Sequence, residues 1–232
     1  QISNLFNEAS IFAIRDNHNF IKEKHVNQSI DYILLGNEKE NFINDQEKNI
    51  IACHEAGHAL ISFLLDNVPS PNKVSITPRT KGMLGFSQSI PDYEKKLYTR
   101  EDLISQMMVL MGGRAAEEII FKRVTNGASD DIDKLNKIAR KIITIYGMNP
   151  NIGLRNIDYD TKNNLWRKDS EALLEMVDEE INILINETYE FTKKLITSNL
   201  VYLDEIRYLL IKKETLEKED LNFVFSKKDL LS

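Results

Sequence analysis

Two histidines four residues apart, with a glutamate after the first, are the feature that most constrains this chain: His54-Glu55-Ala56-Gly57-His58. In an α-helix, side chains at positions i and i+4 lie on the same face, so His54 and His58 can direct two imidazoles at one ion. Glu55 lies beside them, where its carboxylate can hold a water molecule and take its proton. This HExxH spacing predicts a helical zinc site that hydrolyses amide bonds.

The same segment admits an alternative interpretation, in which both histidines are hydrogen-bonded core residues. They lie on one helical stripe with four apolar residues, namely Ile50, Ile51, Ile61 and Leu65. Burying three ionisable groups beside such a stripe is costly unless a metal ion or a counter-charge compensates for it. The pattern therefore favours the metal site.

Length and composition exclude several classes of protein. A chain of 232 residues is long enough for a substantial core, in one domain or two small ones. The single cysteine, Cys53, excludes an internal disulfide, favours a reducing or matrix-like compartment and is expected to be a small buried residue. The net charge is −6 and acidic and basic residues are interspersed, so the sequence shows no basic patch of the kind that binds nucleic acid.

The amino terminus and the hydropathy pattern indicate how the chain is organised. The sequence has no apolar run long enough to span a membrane and no signal-peptide pattern. It begins with Gln1 rather than methionine, and residues 3–14 already have a helical pattern, so we expect an excised segment of a longer protein.

The zinc motif is predicted to lie in the third helix. Residues 1–36 have the pattern of two short helices, Gly36 is a plausible C-cap, and a polar linker follows. Asp45 is a candidate N-cap for a helix over residues 46–66. Gly57 inside this helix disfavours helix formation, so we expect another element to approach its backbone closely.

Two strands are predicted after this helix. Residues 74–77 alternate apolar and polar side chains before Pro78, which cannot donate to a central ladder, so an edge strand is predicted, with a second strand over residues 84–90. Beside a peptidase metal, an edge strand can bind an extended substrate by strand addition along residues 74–79. The predicted substrate-binding residues are Val74, Ser75, Ile76 and Thr77.

The rest of the chain is predicted to be helical. Thr99 begins a capping box for a helix to about Phe121, in which Gly112-Gly113 implies tight packing or a bend. Ser129 is a candidate N-cap for the next helix, with three aspartates near its start. Helices over residues 169–197, 200–212 and 216–225 contain no histidine or cysteine and are expected to form a bundle for packing or assembly.

A catalytic zinc usually has three protein ligands, and HExxH supplies two. The HExxHxxGxxH class is excluded, because Ile61 and Leu64 occupy the glycine and third histidine positions. His18 and His25 lie ahead of the linker, which makes them a less plausible source. Spacing alone does not choose among the downstream carboxylates, which are Glu117, Glu118, Asp130, Asp131 and Asp133.

Five segments in order resemble the peptidase domain of the FtsH family (M41) of membrane-anchored AAA proteases: IIACHEAGHAL, VSITPR, GMLGFSQSIP, GGRAAEEIIF and TNGASDDI. The resemblance covers essentially the whole chain, and residues 1–35 resemble the end of the family's ATPase lid. It implies that Asp131 is the third zinc ligand. Glu117 is the second candidate and is expected to lie behind the ligands rather than on the metal. Asn126 and Asp130 depart from the family's usual threonine and asparagine, and a second carboxylate beside Asp131 could alter the charge of the site.

The predicted fold is mainly α (α+β): a helical zinc metallopeptidase domain with a small β-sheet edge and a C-terminal helical bundle. Residues 1–36 are predicted to be the helical end of an AAA lid and residues 37–232 the peptidase domain. Within that domain, residues 37–165 form the zinc-site half and residues 166–232 the C-terminal bundle.

The predicted function is that of a zinc endopeptidase in which His54, His58 and Asp131 bind Zn²⁺ and Glu55 is the general base. The resemblance implies a hexameric, membrane-anchored AAA protease that degrades unfolded or membrane proteins processively. Its full-length form would lie in a mitochondrial, plastid or bacterial inner membrane. No GxxxxGK[ST] loop occurs here, so ATP would act only through an AAA module outside this chain.

Two alternatives belong beside this prediction. One is a catalytically silent assembly subunit of such a ring, although the intact HExxH motif argues against it. The other is an ATP-independent soluble peptidase.

Overall fold

Helices make up most of the chain in the computed structural model, which describes residues 2–35, 44–78, 85–89, 95–157 and 170–226. A small antiparallel sheet accompanies them, so the predicted mainly α fold is confirmed. The helices are α1 (Ile2–Arg15), α2 (Glu23–Leu35), α3 (Asp45–Leu64), α4 (Arg100–Phe121), α5 (Ser129–Thr144), α6 (Glu171–Thr197), α7 (Leu200–Lys213) and α8 (Lys218–Ser226). The strands are β1 (Pro71–Ser75), β2 (Phe86–Ser89) and β3 (Thr215–Glu217).

The motif helix α3 and helix α4 cross antiparallel at very short range. Gly57 meets Gly112 at the crossing, where a Cβ on Gly112 would lie 2.7 Å from the carbonyl oxygen of Gly57. Both expectations of tight packing at these glycines are confirmed. Because neither residue has a side chain at the crossing, the two backbones approach closely enough for side chains of α3 to reach the backbone of α4.

Helix caps are local features, and the structure confirms some of them and shifts others. Thr99 and Asp102 form the predicted capping box of α4, with the Thr99 hydroxyl accepting from the Asp102 N–H at 3.2 Å. The N-cap of α3 is Asn44 rather than Asp45, because its side-chain oxygen accepts the Glu47 N–H at 2.7 Å. Ser129 is also not an N-cap. It is the first residue of α5, directly after a 3₁₀ turn over Asn126–Ala128.

The edge position predicted for residues 74–77 is wrong. The strand order is β2-β1-β3, so β1 is the middle strand, and Val74 pairs with Ser87 on one side and Leu216 on the other. Pro78 follows the end of β1, so its missing N–H removes no ladder hydrogen bond. The prediction missed β3, which a C-terminal segment supplies.

The strand-addition role predicted for Val74, Ser75, Ile76 and Thr77 therefore has no free edge on β1. Beyond the paired residues, the Ile76 N–H donates to the Glu214 carbonyl at 2.9 Å, and the Thr77 N–H donates to Ser75 Oγ at 3.2 Å. Within the described residues, β2 and β3 are the outer strands. Of the second predicted strand, residues 84 and 90 lie outside the described residues, as do Gly36 and most of the predicted linker.

Two clusters of buried apolar side chains enclose the α3–α4 pair. The first joins α3 and β1 to α7 and α8, and its fully buried members include Ala52, Cys53, Ala56, Leu60, Ile61, Leu203, Ile206 and Leu210. The second joins α4 and α5 to α6 and includes Met107, Met111, Ile142, Ile143 and Val177. Cys53 is fully buried, which confirms the predicted small buried residue, and this burial raises the pKa of its thiol to about 12.

The C-terminal helices 171–197, 200–213 and 218–226 agree with their predicted positions to within two residues. The two N-terminal helices, α1 and α2, are also confirmed, and Lys73 on β1 links this pair to the sheet through Asp31 at 2.8 Å. The proposed domain boundaries stay predictions. None of the helices in the described ranges is long and apolar enough to cross a lipid bilayer.

Candidate metal centre

Three donor atoms from α3 and α5 face one another. The Nε2 atoms of His54 and His58 lie 3.0 Å apart, and Asp131 Oδ2 lies 3.5 Å from the first and 3.3 Å from the second. All three atoms fall within 4.8 Å of one another, which is the spacing of ligands around a single metal ion. The structure thus brings together the three residues that the sequence predicts as ligands.

Helix α4 orients both imidazole rings from behind. His54 Nδ1 lies 2.7 Å from Glu117 Oε1, and His58 Nδ1 lies 2.7 Å from the carbonyl oxygen of Val109. Both partners are acceptors, so in the neutral rings, the form that binds a metal, the protons lie on Nδ1 and the Nε2 lone pairs face the shared position. This is the arrangement in which metal-binding histidines are usually held.

Asp131 reaches the histidines because the connection between α4 and α5 is short and internally bonded. The Thr125 hydroxyl accepts the Gly127 N–H at 3.2 Å, and the Thr125 N–H donates to Glu117 Oε2 at 2.8 Å. The 3₁₀ turn then delivers Asp131 in the first turn of α5, where the helix dipole favours a carboxylate.

The other four candidate carboxylates do not join the donor group. Asp130 is exposed, and Asp133 is exposed and paired with Lys137. Glu118 accepts the Tyr189 hydroxyl at 2.6 Å on the far side of α4. Glu117 is buried beside the site, but it contacts the back of His54 rather than the shared position, in agreement with its predicted supporting place.

The donor side chains of His54 and Asp131 shift one another's pKa values. Burial opposes protonation of His54, but hydrogen bonds to Asp131 and Glu117 outweigh it and raise the pKa of His54 to about 9. Burial alone would raise the pKa of Asp131, yet His54 and His58 hold it far below its ordinary value. A metal cation that binds between these donors would take the place of the proton that they share.

Glu55 is buried next to the donor group, with 7 % of its surface exposed. Burial raises the pKa of its carboxyl, and the charges of His58 and His54 oppose that rise. The backbone of Gly85, just before β2, lies against this side chain, since a Cβ there would be 2.7 Å from Glu55 Oε1. The start of β2 thus passes directly over the carboxylate.

A second group of nitrogen and oxygen donors lies between α1 and α2 and comprises Asp16, His18 and His25. The Lys22 N–H donates to His25 Nδ1 at 3.0 Å, which places the proton of the neutral ring on Nε2, the atom facing Asp16. The Lys24 ammonium lies 2.6 Å from the same Asp16 oxygen. The Lys24 ammonium thus already pairs with the carboxylate that a cation would need.

Two contributors to the centre are absent from the sequence prediction. The Val109 carbonyl is a backbone group, so the type of residue at position 109 does not indicate its contact with His58. Gly85 lies in the predicted strand over residues 84–90, and its approach to Glu55 depends on how the sheet packs against α3. By contrast, Gly57 and Gly112 could be anticipated as close contacts, because glycine inside a helix is unfavourable without such a reason.

The donor set fits zinc. Two imidazole nitrogens and one carboxylate oxygen, with a fourth position left open, are typical ligands of a catalytic zinc ion. Both histidines have the Nδ1 partners that such ligation requires, and the side chains of His54, His58 and Asp131 are largely buried.

Comparison with known proteins agrees with this geometry. Residues 41–224 match the model of peptidase family M41. The chain is 35 % identical over 232 residues to an ATP-dependent zinc metalloprotease FtsH of Clostridium perfringens, covering 97 % of this chain and 32 % of that protein. It is 39 % identical over 223 residues to AFG3L2, a mitochondrial inner membrane m-AAA protease component of Mus musculus, covering 95 % and 28 %.

A third relative is yta12, a mitochondrial inner membrane m-AAA protease component of Schizosaccharomyces pombe, which is 35 % identical over 226 residues, covering 96 % of this chain and 29 % of that protein. The chain spans about a third of the length of these curated relatives. The family match covers α3, α4 and α5, which carry the whole donor group. The chain therefore belongs to peptidase family M41 and is a zinc metalloprotease domain of the FtsH type.

Proposed function

We propose that this chain is a zinc-dependent endopeptidase, with His54, His58 and Asp131 as the metal ligands and Glu55 as the general base. The observation that supports it best is the convergence of three donor atoms within 4.8 Å of one another beside a buried glutamate. Zinc, when bound, lowers the pKa of water toward about 7 and polarises the scissile carbonyl. The protein must then position the water, remove its proton and deliver a proton to the leaving amine.

Glu55 performs the proton transfers in this proposal. One carboxylate oxygen accepts a proton from the attacking water as its oxygen bonds to the carbonyl carbon. The same carboxyl then donates that proton to the amide nitrogen as the C–N bond breaks, which gives a carboxylic acid and an amine; the proton of the acid then passes to the amine, so that the final products are a carboxylate and an ammonium. Burial raises the pKa of Glu55, which brings its proton affinity closer to that needed for both transfers.

The substrate would lie on the outer edge of β2. The inner edge of β2 pairs with β1, and Gly85, the residue before β2, lies beside Glu55. An extended peptide that pairs with the outer edge would therefore run past the carboxylate and the donor group. Backbone pairing reads no particular side chain, which suits an enzyme that acts on unfolded polypeptides.

This edge can be tested with a cleavable peptide and its analogue N-methylated at alternate amides. Methylation removes hydrogen-bond donors without removing side chains, so we expect a raised KM with little change in kcat. An unchanged KM would contradict binding by strand addition.

The names of the relatives support a wider proposal for the protein to which this domain belongs. We infer a membrane-anchored, ATP-dependent protease that forms a hexameric ring and degrades unfolded or membrane proteins processively, in a bacterial inner membrane or an organelle membrane. The peptidase domain would then receive chains that an AAA module unfolds. Residues 1–36 would form the end of the lid of that module, and residues 37–232 the peptidase domain.

The decisive experiment compares the purified domain with its Glu55→Gln variant for zinc content and for cleavage of an unfolded protein. We expect zinc in both and a decrease in cleavage on the order of 100- to 10,000-fold in the variant. Glu47→Gln, at an exposed position in the first turn of α3, is the matched control and should retain both properties. Undiminished cleavage by Glu55→Gln would refute the proposed base.

Zinc in both proteins without cleavage by either would favour the catalytically silent subunit. The same comparison in a longer protein that carries the ATPase module would then decide between a silent subunit and an enzyme that needs ATP-driven delivery. Cleavage by the isolated domain that the module does not accelerate would instead favour an ATP-independent peptidase.

A further inference from the structure

We propose that Gly113 is a positioning residue for His54: its missing side chain leaves the space that the imidazole occupies when Nε2 faces the metal position. The inference deepens the proposed function, on which it rests for the role of His54 as a ligand. It assigns different tasks to two adjacent glycines of α4. Gly112 allows the helices to cross, and Gly113 allows one ligand to reach its place.

The geometry at Gly113 is specific to the imidazole ring. A Cβ on Gly113 would lie 2.6 Å from both Cε1 and Nε2 of His54 and 2.7 Å from Cδ2. These distances are far inside van der Waals contact, so the ring would have to move. Nε2 is the atom that faces His58 and Asp131, so the displacement would act on the donor nitrogen itself.

The ring has little freedom to move away, because the same face of α4 also holds it at Nδ1. Gly113 and Glu117 are four residues apart on α4 and therefore lie on one face. Glu117 binds His54 Nδ1 at 2.7 Å, while Gly113 lies against the face of the ring, over Cε1, Nε2 and Cδ2. A displaced ring would lose this hydrogen bond and leave Glu117 buried with one fewer donor.

Gly112 provides the contrast that makes the proposal testable. A Cβ at Gly112 would lie 2.7 Å from the carbonyl oxygen and 3.0 Å from the carbonyl carbon of Gly57, which are backbone atoms of α3. A substitution at Gly112 should therefore disturb the helix crossing whether or not His54 is present. A substitution at Gly113 should be harmful only when the imidazole is there.

The first test is a stability cycle in the metal-free protein, with Tm measured for wild type, Gly113→Ala, His54→Ala and the double variant. We expect Gly113→Ala to lower Tm in the wild-type background and to raise it in the His54→Ala background. The reversal arises because alanine favours an interior helical position over glycine once the clashing ring is gone. Gly112→Ala is the matched control and should lower Tm in both backgrounds.

The second test is zinc affinity, measured by competition with a chromophoric chelator at a temperature where each variant is folded. Gly113→Ala should weaken zinc binding at least about tenfold, as expected when a ligand loses its orientation. Neither measurement uses peptide cleavage. A domain that proves inactive would therefore contradict the proposed function but not the positioning role of Gly113.

Clear outcomes would overturn the proposal. A change in Tm of the same sign and size in both backgrounds would show that Gly113 has no special relation to His54, as would unchanged zinc affinity in folded Gly113→Ala. If Gly113→Ala alone fails to fold, the double variant decides the matter. A folded double variant supports the proposal, and an unfolded one refutes it.

Discussion

Glu117 Oε1 lies 2.7 Å from Nδ1 of His54, and the glutamate is only 1 % exposed. Its other oxygen accepts the Thr125 N–H at 2.8 Å. Burial alone would raise the pKa of Glu117, but the hydrogen bond and charge of His54 hold it below its ordinary value. One carboxylate thus fixes the orientation of a ligand on α3 and the start of the turn that leads to Asp131.

Glu117→Gln should weaken zinc binding by about 10- to 100-fold. An amide can accept at one end only, so its NH₂ group would face either His54 Nδ1–H or the Thr125 N–H. Competition with a zinc chelator measures the effect. Glu118→Gln, which alters the neighbouring contact with Tyr189, is the control and should leave the affinity unchanged. Equal losses in both variants would argue against a specific role for Glu117.

Asp131→Ala should weaken zinc binding more than Glu117→Ala, by more than about 100-fold, because it removes a ligand rather than the support of a ligand. Asp130→Ala removes the exposed neighbouring carboxylate and is the matched control for the change in net charge. Metal analysis after dialysis and chelator competition both report the difference. A larger loss in Glu117→Ala than in Asp131→Ala would transfer the ligand role to Glu117.

Gly57→Ala should lower the free energy of unfolding by about 1–3 kcal/mol, since the added methyl group overpacks the helix crossing. Its Cβ would collide with the Gly112 carbonyl and lie 2.8 Å from the Cβ of Ala116. Urea denaturation in the presence of a chelator measures this cost without a contribution from zinc. Gly127→Ala, where the nearest atom is Thr125 Oγ1 at 3.3 Å, should change stability by less than about 0.5 kcal/mol.

The capping box of α4 should make stability depend on pH. Hydrogen bonds from Lys95 and from the Thr99 N–H lower the pKa of Asp102 below its ordinary value of 3.8. A lowered pKa in the folded state stabilises the fold above the pKa of the unfolded state, and the gain is lost as pH falls through the folded value. Asp102→Asn should therefore cost about 1 kcal/mol at pH 7, and this difference should shrink below about pH 4.

Denaturation of the metal-free wild type and Asp102→Asn across this pH range checks the expectation. A difference that stays constant from pH 7 to pH 3 would show that the carboxylate charge does not contribute to the cap.

The features that could be predicted from sequence are those that depend on residues within one turn or one helix. The spacing of His54, Glu55 and His58 fixes them on neighbouring positions of α3, and Thr99 and Asp102 are close enough in sequence to form their capping box. The helix boundaries followed from the same local patterns. Where the caps moved, as at Asn44, a neighbouring residue with an equally suitable acceptor took the position.

The third carboxylate and the strand order depend on contacts between distant segments. Spacing left five carboxylates open, and the family resemblance rather than the residue pattern singled out Asp131. An edge strand is predicted for Val74 because Pro78 follows it, and nothing nearby in the sequence indicates a partner for its second side. Its partner, Leu216, comes from the C-terminal helical region, where the short β3 gives little strand pattern of its own.

The sequence by itself therefore determined the metal motif, most of the helices and the need for close packing at Gly57, because helical periodicity and steric limits act over a few residues. Only the tertiary structure decided that Asp131 meets the two histidines, that Glu117 and Val109 orient the rings, and that β2 passes over Glu55. Those relations depend on how α3, α4, α5 and the sheet pack together, and the interactions that fix this packing join residues far apart in the chain.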